Sequence, residues 1–390
     1  MARRRRYKET GRGSFFGDLA YDCVLKRYRQ HFLVVLERLF DWEEMSEQMI
    51  RLYKGRGEVG RPPYPPVLVF KLLFLSYLYN VSERTIVELA DVHLLIKWFL
   101  GLSIDAQPPD HSTLTVFKKR FLEGNNWKVL QDLFDGMIVQ AQEQGLQLGE
   151  LQVLDSVHTQ SHVNRDKDRQ RQEQGKEPRD PEARVVNKGQ RRVTEADGTT
   201  TTTSIRYQGY KTHASVNAET GLVTTVVVTL GNHADNKAFV QVREHDRTLD
   251  LPTRAYGGDK AYDDTDIYER LAVEGLAIAV TLNDYRTAKK DANHARWHEL
   301  VADPLYQERK AQRFRVEQPF GIAKQWHSFE RCRYLGLARY RIQALLTFMA
   351  VNAKRLVKLL TGVTFRPQAK GRRAERLKPV LETIPWARCA

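Results

Sequence analysis

The hydrophobic pattern of the chain changes near residue 146, and this change constrains the fold more than any other feature. Up to about residue 145, apolar side chains recur at helical spacing. From there on, helical segments alternate with short apolar, β-branched runs, which cover residues 151–155, 210–216, 222–230, 253–259 and 276–282. The sequence therefore predicts an α/β (α+β) protein, in which an all-helical N-terminal domain (15–145) precedes a mixed-sheet domain (146–360).

The two chain ends and one internal segment depart from this pattern. Residues 164–192 carry ten Lys or Arg and six Asp or Glu, with almost no apolar side chain. Such a composition buries too little apolar surface to offset the entropy of ordering. We therefore expect a mobile insertion at 164–204, a flexible basic arm at 1–14 and a basic tail at 361–390.

Three acidic residues stand out as candidates for metal chemistry. Asp155 and Asp259 each end a predicted strand, where a carboxylate can chelate a hard cation or simply form a turn or a helix cap. Glu317 follows Arg313 by four residues and precedes Lys324 by seven, so a continuous helix would place all three on one face. This arrangement suits a metal with phosphates beside it, or else ordinary surface ion pairs.

Together, these acids resemble the Asp-Asp-Glu triad of bacterial insertion-sequence transposases. The spacing Arg-x3-Glu-x6-Lys matches one large group of them, and Lys310 stands where many relatives have Tyr. Four further segments are similar to sequence motifs that recur in this family: residues 109–113, 258–262, 316–321 and 352–356. The resemblance implies an RNase H-like catalytic domain, with the Asp155 and Asp259 strands side by side and Glu317 on a helix packed against the sheet.

The resemblance also implies an activity, cofactors and partners. A DDE transposase cleaves and joins DNA strands, and Asp155, Asp259 and Glu317 would hold two Mg²⁺ or Mn²⁺ ions. The expected partners are the terminal inverted repeats, target DNA and a second copy of the chain in the DNA complex. Two alternatives remain open, namely a non-transposing RNase H-like nuclease and a DNA-binding regulator derived from a transposase.

Basic and aromatic side chains near these acids are candidates for DNA contact. Arg313 and Lys324 are expected to bind phosphate, whereas Asp235 is expected to cap a helix. Further candidates are Lys260, Tyr262, Lys211, His213, Lys118, Lys119, Arg120, Arg3, Arg4, Arg5 and Arg6. Lys118–Arg120 fall in the second of two helices capped by Ser82 and by Asp110 or Ser112, which form either a helix-turn-helix or plain core helices.

Composition agrees with a DNA-binding protein. The formal net charge of +14 favours a polyanionic partner. The three cysteines are widely spaced and form no Cys-x-x-Cys motif, which fits a reducing cytosol. No segment reads as a signal peptide or a membrane span. We therefore expect a cytoplasmic bacterial protein associated with the nucleoid.

Overall fold

The computed structural model describes residues 7–11, 13–53, 62–194, 200–283, 298 and 300–365. The N-terminal region is helical, as predicted. Its helices are α1 Phe15–Arg27, α2 Phe32–Leu39, α3 Trp42–Met49, α4 Pro66–Leu78, α5 Glu83–Val92, α6 Leu94–Phe99, α7 His111–Phe121 and α8 Trp127–Glu143.

Local sequence signals explain where several of these helices begin. A proline occupies the first position of α4, where its missing N–H costs nothing. The Ser82 hydroxyl accepts a hydrogen bond from the Thr85 N–H and caps α5. The Asp110 carboxylate accepts from the Ser112 N–H and caps α7. The expected helix starts after both capping residues are therefore confirmed.

The second half of the chain contains a six-stranded mixed sheet. Its strands are β1 Leu151–Gln160, β2 Arg184–Thr194, β3 Thr200–Asn217, β4 Val223–Leu230, β5 Ala255–Gly258 and β6 Ala277–Val280. The order is β2-β3-β1-β5-β6, and β4 also pairs with β3. The pairs β1–β3, β2–β3 and β3–β4 are antiparallel, whereas β1–β5 and β5–β6 are parallel. This is the predicted RNase H-like sheet, in which β3 and β4 form a hairpin.

Within the described residues, six further helices accompany the sheet: α9 Arg165–Glu173, α10 Asp235–Thr248, α11 Thr265–Val273, α12 Pro304–Ala311, α13 Glu317–His327 and α14 Leu337–Thr361. The largely buried α14 packs against β4 and also against α2, α4 and α8. One continuous apolar core therefore joins the N-terminal helices to one face of the sheet. The predicted division of the chain at residue 145 stays a prediction.

The structure differs from the sequence-based expectation at two places in this region. The first strand does not end at Asp155 but continues to Gln160, because β3 pairs with it along residues 152–160. The segment 164–204, expected to be a mobile insertion, contains α9 and β2. Polar contacts order it where apolar contacts cannot: the buried Asp180 carboxylate accepts hydrogen bonds from the hydroxyls of Ser161 and Tyr210, both at 2.5 Å.

Two other expectations concern the ends of the chain and the membrane. The Arg3–Arg6 arm and most of the 361–390 tail lie outside the described residues. Within the described ranges, no helix combines the length and the apolar character that crossing a bilayer requires.

Candidate active site

Asp155 and Asp259 lie at the same edge of the sheet because two neighbouring strands run parallel. Leu151 pairs with Ala255 and Val153 with Gly257, so the same register, continued by two residues, aligns Asp155 with Asp259. Both side chains are half-buried. The carboxyl ends of parallel strands are where open α/β sheets bind ligands. The structure thus brings together the two aspartates that the sequence singled out.

The electrostatic environment of Asp155 reflects this pairing. Burial raises its pKa to about 6, with further upward contributions from the negative charges of Asp259 and Asp235. The Ser156 N–H, which donates to Asp155 Oδ1 at 2.7 Å, and the Arg313 guanidinium oppose this rise. A carboxyl held between acids gains from a bound cation, because a positive charge would relieve the repulsion.

Asp259 sits at a tight junction between β5 and a 3₁₀ turn at Lys260–Tyr262. Its carboxylate caps the turn by accepting the Ala261 N–H at 2.9 Å. A Cβ atom on Gly258 would stand 2.9 Å from the Tyr262 ring, so no larger residue fits without displacement. Burial raises the pKa of Tyr262, and the charges of Asp235, Asp155 and Asp259 raise it further. The ring is therefore buried close to the acids, and its predicted DNA contact stays a prediction.

Asp235 is a third acid in this cluster, and the sequence assigned it the wrong role. The N-cap of α10 is Ala234, and Asp235 is the first helical residue rather than a cap. Its Oδ1 lies 3.2 Å from Lys211 Nζ and 3.2 Å from His213 Nδ1. Although burial acts in the opposite direction, contacts with His213, Ser156 and Lys211 lower the pKa of Asp235 below its ordinary value.

The predicted DNA contacts of Lys211 and His213 also stay predictions. Both side chains are buried, with exposed fractions of 6% and 0%. Lys211 Nζ donates to the His233 carbonyl at 2.8 Å, and His213 Nε2 lies 2.9 Å from Thr229 Oγ1. These groups support Asp235 from within the sheet, and their burial argues against direct contact with a duplex.

Glu317 begins a new helix instead of lying within a continuous one. Residues Gln312–Val316 form a 3₁₀ turn packed on β1, β3 and β5, and α13 starts at Glu317. Pro319 falls in the first turn of α13, where it disrupts no intrahelical hydrogen bond. Arg313 does not share one helical face with Glu317 and Lys324, because the 3₁₀ turn that carries Arg313 has fewer residues per turn than an α-helix.

The motif residues around Glu317 are not paired with one another. Glu317 and Lys324 are exposed, and Arg313 is half-buried with no hydrogen-bond partner for its Nε among the described residues. No ion pair joins Glu317 to either cation in the part of the chain that the structure covers. The Arg313 charge acts on Asp155 instead. The simple intrahelical salt bridge is therefore absent.

The donor set fits a hard divalent cation, although the triad is not assembled. Asp155 and Asp259 present carboxylate oxygens side by side, the ligand type that Mg²⁺ prefers. Across the described ranges, no three His, Cys, Asp or Glu side chains converge closely enough to hold a metal ion. Asp155 and Asp259 could thus hold a cation, with Glu317 as a third ligand outside the observed pair.

Of the remaining side chains predicted to contact DNA, two bind other residues of the chain and two are exposed. Lys118 pairs with Glu83 and lies 4.4 Å from the centre of the Tyr334 ring, while the Arg120 guanidinium stacks 4.0 Å from the Tyr53 ring. Lys118 thus links α7 to α5, and Arg120 links α7 to the segment that follows α3, while their predicted DNA contacts stay predictions. Lys119 and Lys260 are exposed.

A topological signal could have identified Asp235 from the sequence. Strand β4 pairs antiparallel with β3, which pairs antiparallel with β1, so β4 and β1 point the same way. The end of β4 at Leu230 therefore lies at the edge that holds Asp155, and Asp235 follows five residues later. An acid that follows a third strand running in the same direction is therefore expected near Asp155 and Asp259.

Comparison with known proteins identifies the family of the chain. Residues 23–120 match a family model described as a transposase domain of the DUF772 type, and residues 144–353 match the transposase DDE domain. A cryo-EM structure of the piggyBac transposase synaptic complex with hairpin DNA is similar at 9% sequence identity and a TM-score of 0.42, over 90% of this chain and 84% of that chain. Because the DDE model spans more than half of its 390 residues, the chain belongs to the family of transposases with a DDE domain.

Proposed function

We propose that the chain is a DNA transposase that binds the terminal inverted repeats of an insertion sequence and catalyses metal-dependent strand cleavage and strand transfer. The observation that carries the proposal is the parallel register of β1 and β5, which aligns Asp155 with Asp259 at the carboxyl edge of the sheet. Glu317 supplies the third carboxylate from the exposed start of α13.

The proposed roles follow from the chemistry of these side chains. Asp155, Asp259 and Glu317 would hold two Mg²⁺ or Mn²⁺ ions, and the chemistry that such ions supply when bound is Lewis-acid assistance to phosphodiester cleavage. Since the pKa of Asp155 is about 6, its carboxyl is ionised at neutral pH and can serve as a ligand. The Tyr262 ring packs against Gly258, and this contact fixes the position of the neighbouring Asp259 at the end of β5.

Cationic side chains around the acids are proposed to hold the DNA backbone. Arg313 faces the Asp155 side of the site and can bind a phosphate at two points, while Lys324 adds a point charge from α13. Lys260, Lys119 and the arm at Arg3–Arg6 are proposed as further phosphate contacts. The partners are the terminal repeats, target DNA and a second copy of the chain, within the bacterial cytoplasm and its nucleoid.

A two-step assay tests the proposal. Labelled duplexes that carry the repeats bracketing the gene are incubated with the protein, Mg²⁺ and a supercoiled plasmid. We expect cleavage at the repeat end, followed by joining of the new 3′ end to the plasmid. Cleavage without joining and without preference for the repeat would indicate a general nuclease. Repeat binding without any cleavage would indicate a regulator, and either result contradicts the proposal.

A further inference from the structure

Strand β3 is much longer than the sheet that it crosses. It spans Thr200–Asn217, yet its pairing with β1 begins at Gly209 and its pairing with β4 at Tyr210. Among the described strands, residues 200–208 pair with β2 alone. At about 3.3 Å per residue, this two-stranded ribbon of β2 and β3 extends roughly 30 Å beyond the sheet.

The ribbon leaves the sheet on the side of the candidate active site. Because β3 is antiparallel to β1, its first residues lie beyond the C-terminal end of β1, where Gly209 pairs with Gln160. Asp155 lies five residues earlier on β1, which places it about 17 Å from the base of the ribbon. A duplex lying across the acids would therefore meet the ribbon within one helical turn of DNA.

Close packing at its base gives the ribbon a fixed direction. A Cβ atom on Gly209 would stand 2.1 Å from the Thr159 carbonyl oxygen, so the two backbones are in direct contact. The Asp180 carboxylate accepts hydrogen bonds from Tyr210 and Ser161, and the Arg165 guanidinium donates to the Arg206 carbonyl at 3.2 Å. The ribbon is thus anchored where it joins the sheet.

The charge of the ribbon selects an anionic partner. Strands β2 and β3 carry five Lys or Arg between residues 184 and 209 and no Asp or Glu, and the connecting residues 195–199 add two acids. Arg192 pairs across the ribbon with Thr202, four residues from Arg206, so the two exposed arginines share one face about 13 Å apart. An isolated two-stranded ribbon is marginally stable in water, so a partner would stabilise it.

We infer that the β2–β3 ribbon is a DNA-binding arm that lies in a groove of the duplex next to the scissile site and binds its phosphates through Arg192 and Arg206. A two-stranded β-ribbon fits the B-DNA major groove, which is about 12 Å wide. The inference rests on the proposed function and extends it by assigning a contact surface outside the acid cluster. The surplus of positive charge favours DNA over a second copy of this basic chain.

The test compares the wild-type chain with the Arg192→Gln/Arg206→Gln variant on duplexes of two lengths. The short duplex ends near the cleavage site, and the long one extends about ten base pairs further on both sides, roughly the reach of the ribbon. Affinity is measured by fluorescence anisotropy in EDTA, so that catalysis does not contribute. The matched control is Arg247→Gln/Arg270→Gln, which removes two exposed charges from α10 and α11.

We expect the ribbon variant to lose roughly tenfold in affinity for the long duplex, and the slope of log affinity against log salt to fall by about 1.8. Its affinity for the short duplex and its cleavage of that duplex in Mg²⁺ should match the wild type. Equal affinities of wild type and variant for the long duplex would overturn the inference, and so would an equal loss in the control. Loss of self-association instead of DNA affinity, measured by light scattering, would assign the ribbon to a second copy and also overturn it.

These outcomes separate the ribbon from the proposed function. If the wild-type chain cleaves and joins repeat DNA but the ribbon variant binds the long duplex equally well, only the inference about the ribbon is contradicted. If the wild-type chain binds neither duplex, the inference and the proposed function are both contradicted.

Discussion

Asp155 on β1 and Asp259 directly after β5 stand at the same level of two adjacent parallel strands, and the charge of Asp259 adds to the burial that raises the pKa of Asp155. This relationship links the fold directly to the chemistry. The register of β1 and β5 brings the two carboxyls to the same half-buried edge, where burial and the charge of Asp259 disfavour ionisation of Asp155. A site built in this way is electrostatically strained until a cation binds.

The first prediction concerns the stability of the metal-free protein. The pKa of Asp155 rises from 3.8 in the unfolded chain to about 6 in the folded one. Between these two pH values, the folded state therefore binds more protons than the unfolded state. Stability is therefore lost as pH rises through this window, by at most about 3 kcal/mol. Asp155→Asn should be more stable than the wild type at about pH 7.5 and no more stable at about pH 4. Urea unfolding in EDTA measures this, and a gain that is independent of pH would contradict the assignment.

The second prediction concerns the ion pair beneath the acids. Asp235→Asn leaves the buried Lys211 ammonium without its counter-charge, which should destabilise the protein by about 3–5 kcal/mol. Asp235→Asn/Lys211→Met should recover part of this loss. The control is Asp266→Asn, whose exposed partner Lys237 lies at 3.4 Å and whose loss should cost less than about 1 kcal/mol. Equal destabilisation by the two single variants would show that Asp235 is not part of a buried pair.

The third prediction concerns the glycine before Asp259. Gly258→Ala should destabilise the protein by about 1–3 kcal/mol, because the added methyl group meets the Tyr262 ring. Strand cleavage should also slow, since the ring or the Asp259 backbone must move. Gly321→Ala is the matched control: nothing lies within 4 Å of its new Cβ on α13, so stability should stay equal or rise. Thermal melting and cleavage rates check both variants, and an unaffected Gly258→Ala protein would contradict the described packing.

Much of the fold was predictable because the controlling signals are local. The β-branched runs at residues 210–216 and 222–230 predicted the strands β3 and β4, and Ser82 and Asp110 predicted two helix starts. The ribbon was not predictable from composition. Its strands are ordered by cross-strand pairing and by polar contacts such as Asp180 with Tyr210, and neither leaves an apolar pattern.

The site was predictable only where an acid follows a recognisable strand. Asp259 fits that rule, and Asp155 shares its register. The roles of Lys211 and His213 depended on which face of β3 is buried, and both faces are covered here because α10 and α14 each contact the sheet. A charged side chain in a strand that is covered on both faces needs a buried partner of opposite charge. For Lys211 and His213, that partner is Asp235.

The fourth prediction concerns the cations of the Glu317 motif. Lys324→Ala should slow cleavage at least tenfold while the free energy of unfolding changes by less than about 0.5 kcal/mol, since Lys324 is exposed. Arg313→Lys should also slow cleavage, because it keeps the charge but loses the planar fork that binds phosphate at two points. Gln325→Ala, the neighbouring exposed position, is the control. Stable and fully active variants at both cationic positions would remove these residues from the site.

The measurement that tests the central claim most directly is single-turnover cleavage of a repeat duplex by Asp259→Asn and Asp263→Asn. Both variants remove one carboxylate charge, and the Asp263 carboxylate accepts hydrogen bonds from the Tyr268 hydroxyl and the Asn283 N–H, away from the pair. The account predicts that Asp259→Asn binds the duplex normally and cleaves at least about a thousandfold more slowly, a loss of about 4 kcal/mol, while Asp263→Asn stays near the wild-type rate. Cleavage by Asp259→Asn at the wild-type rate would contradict the account.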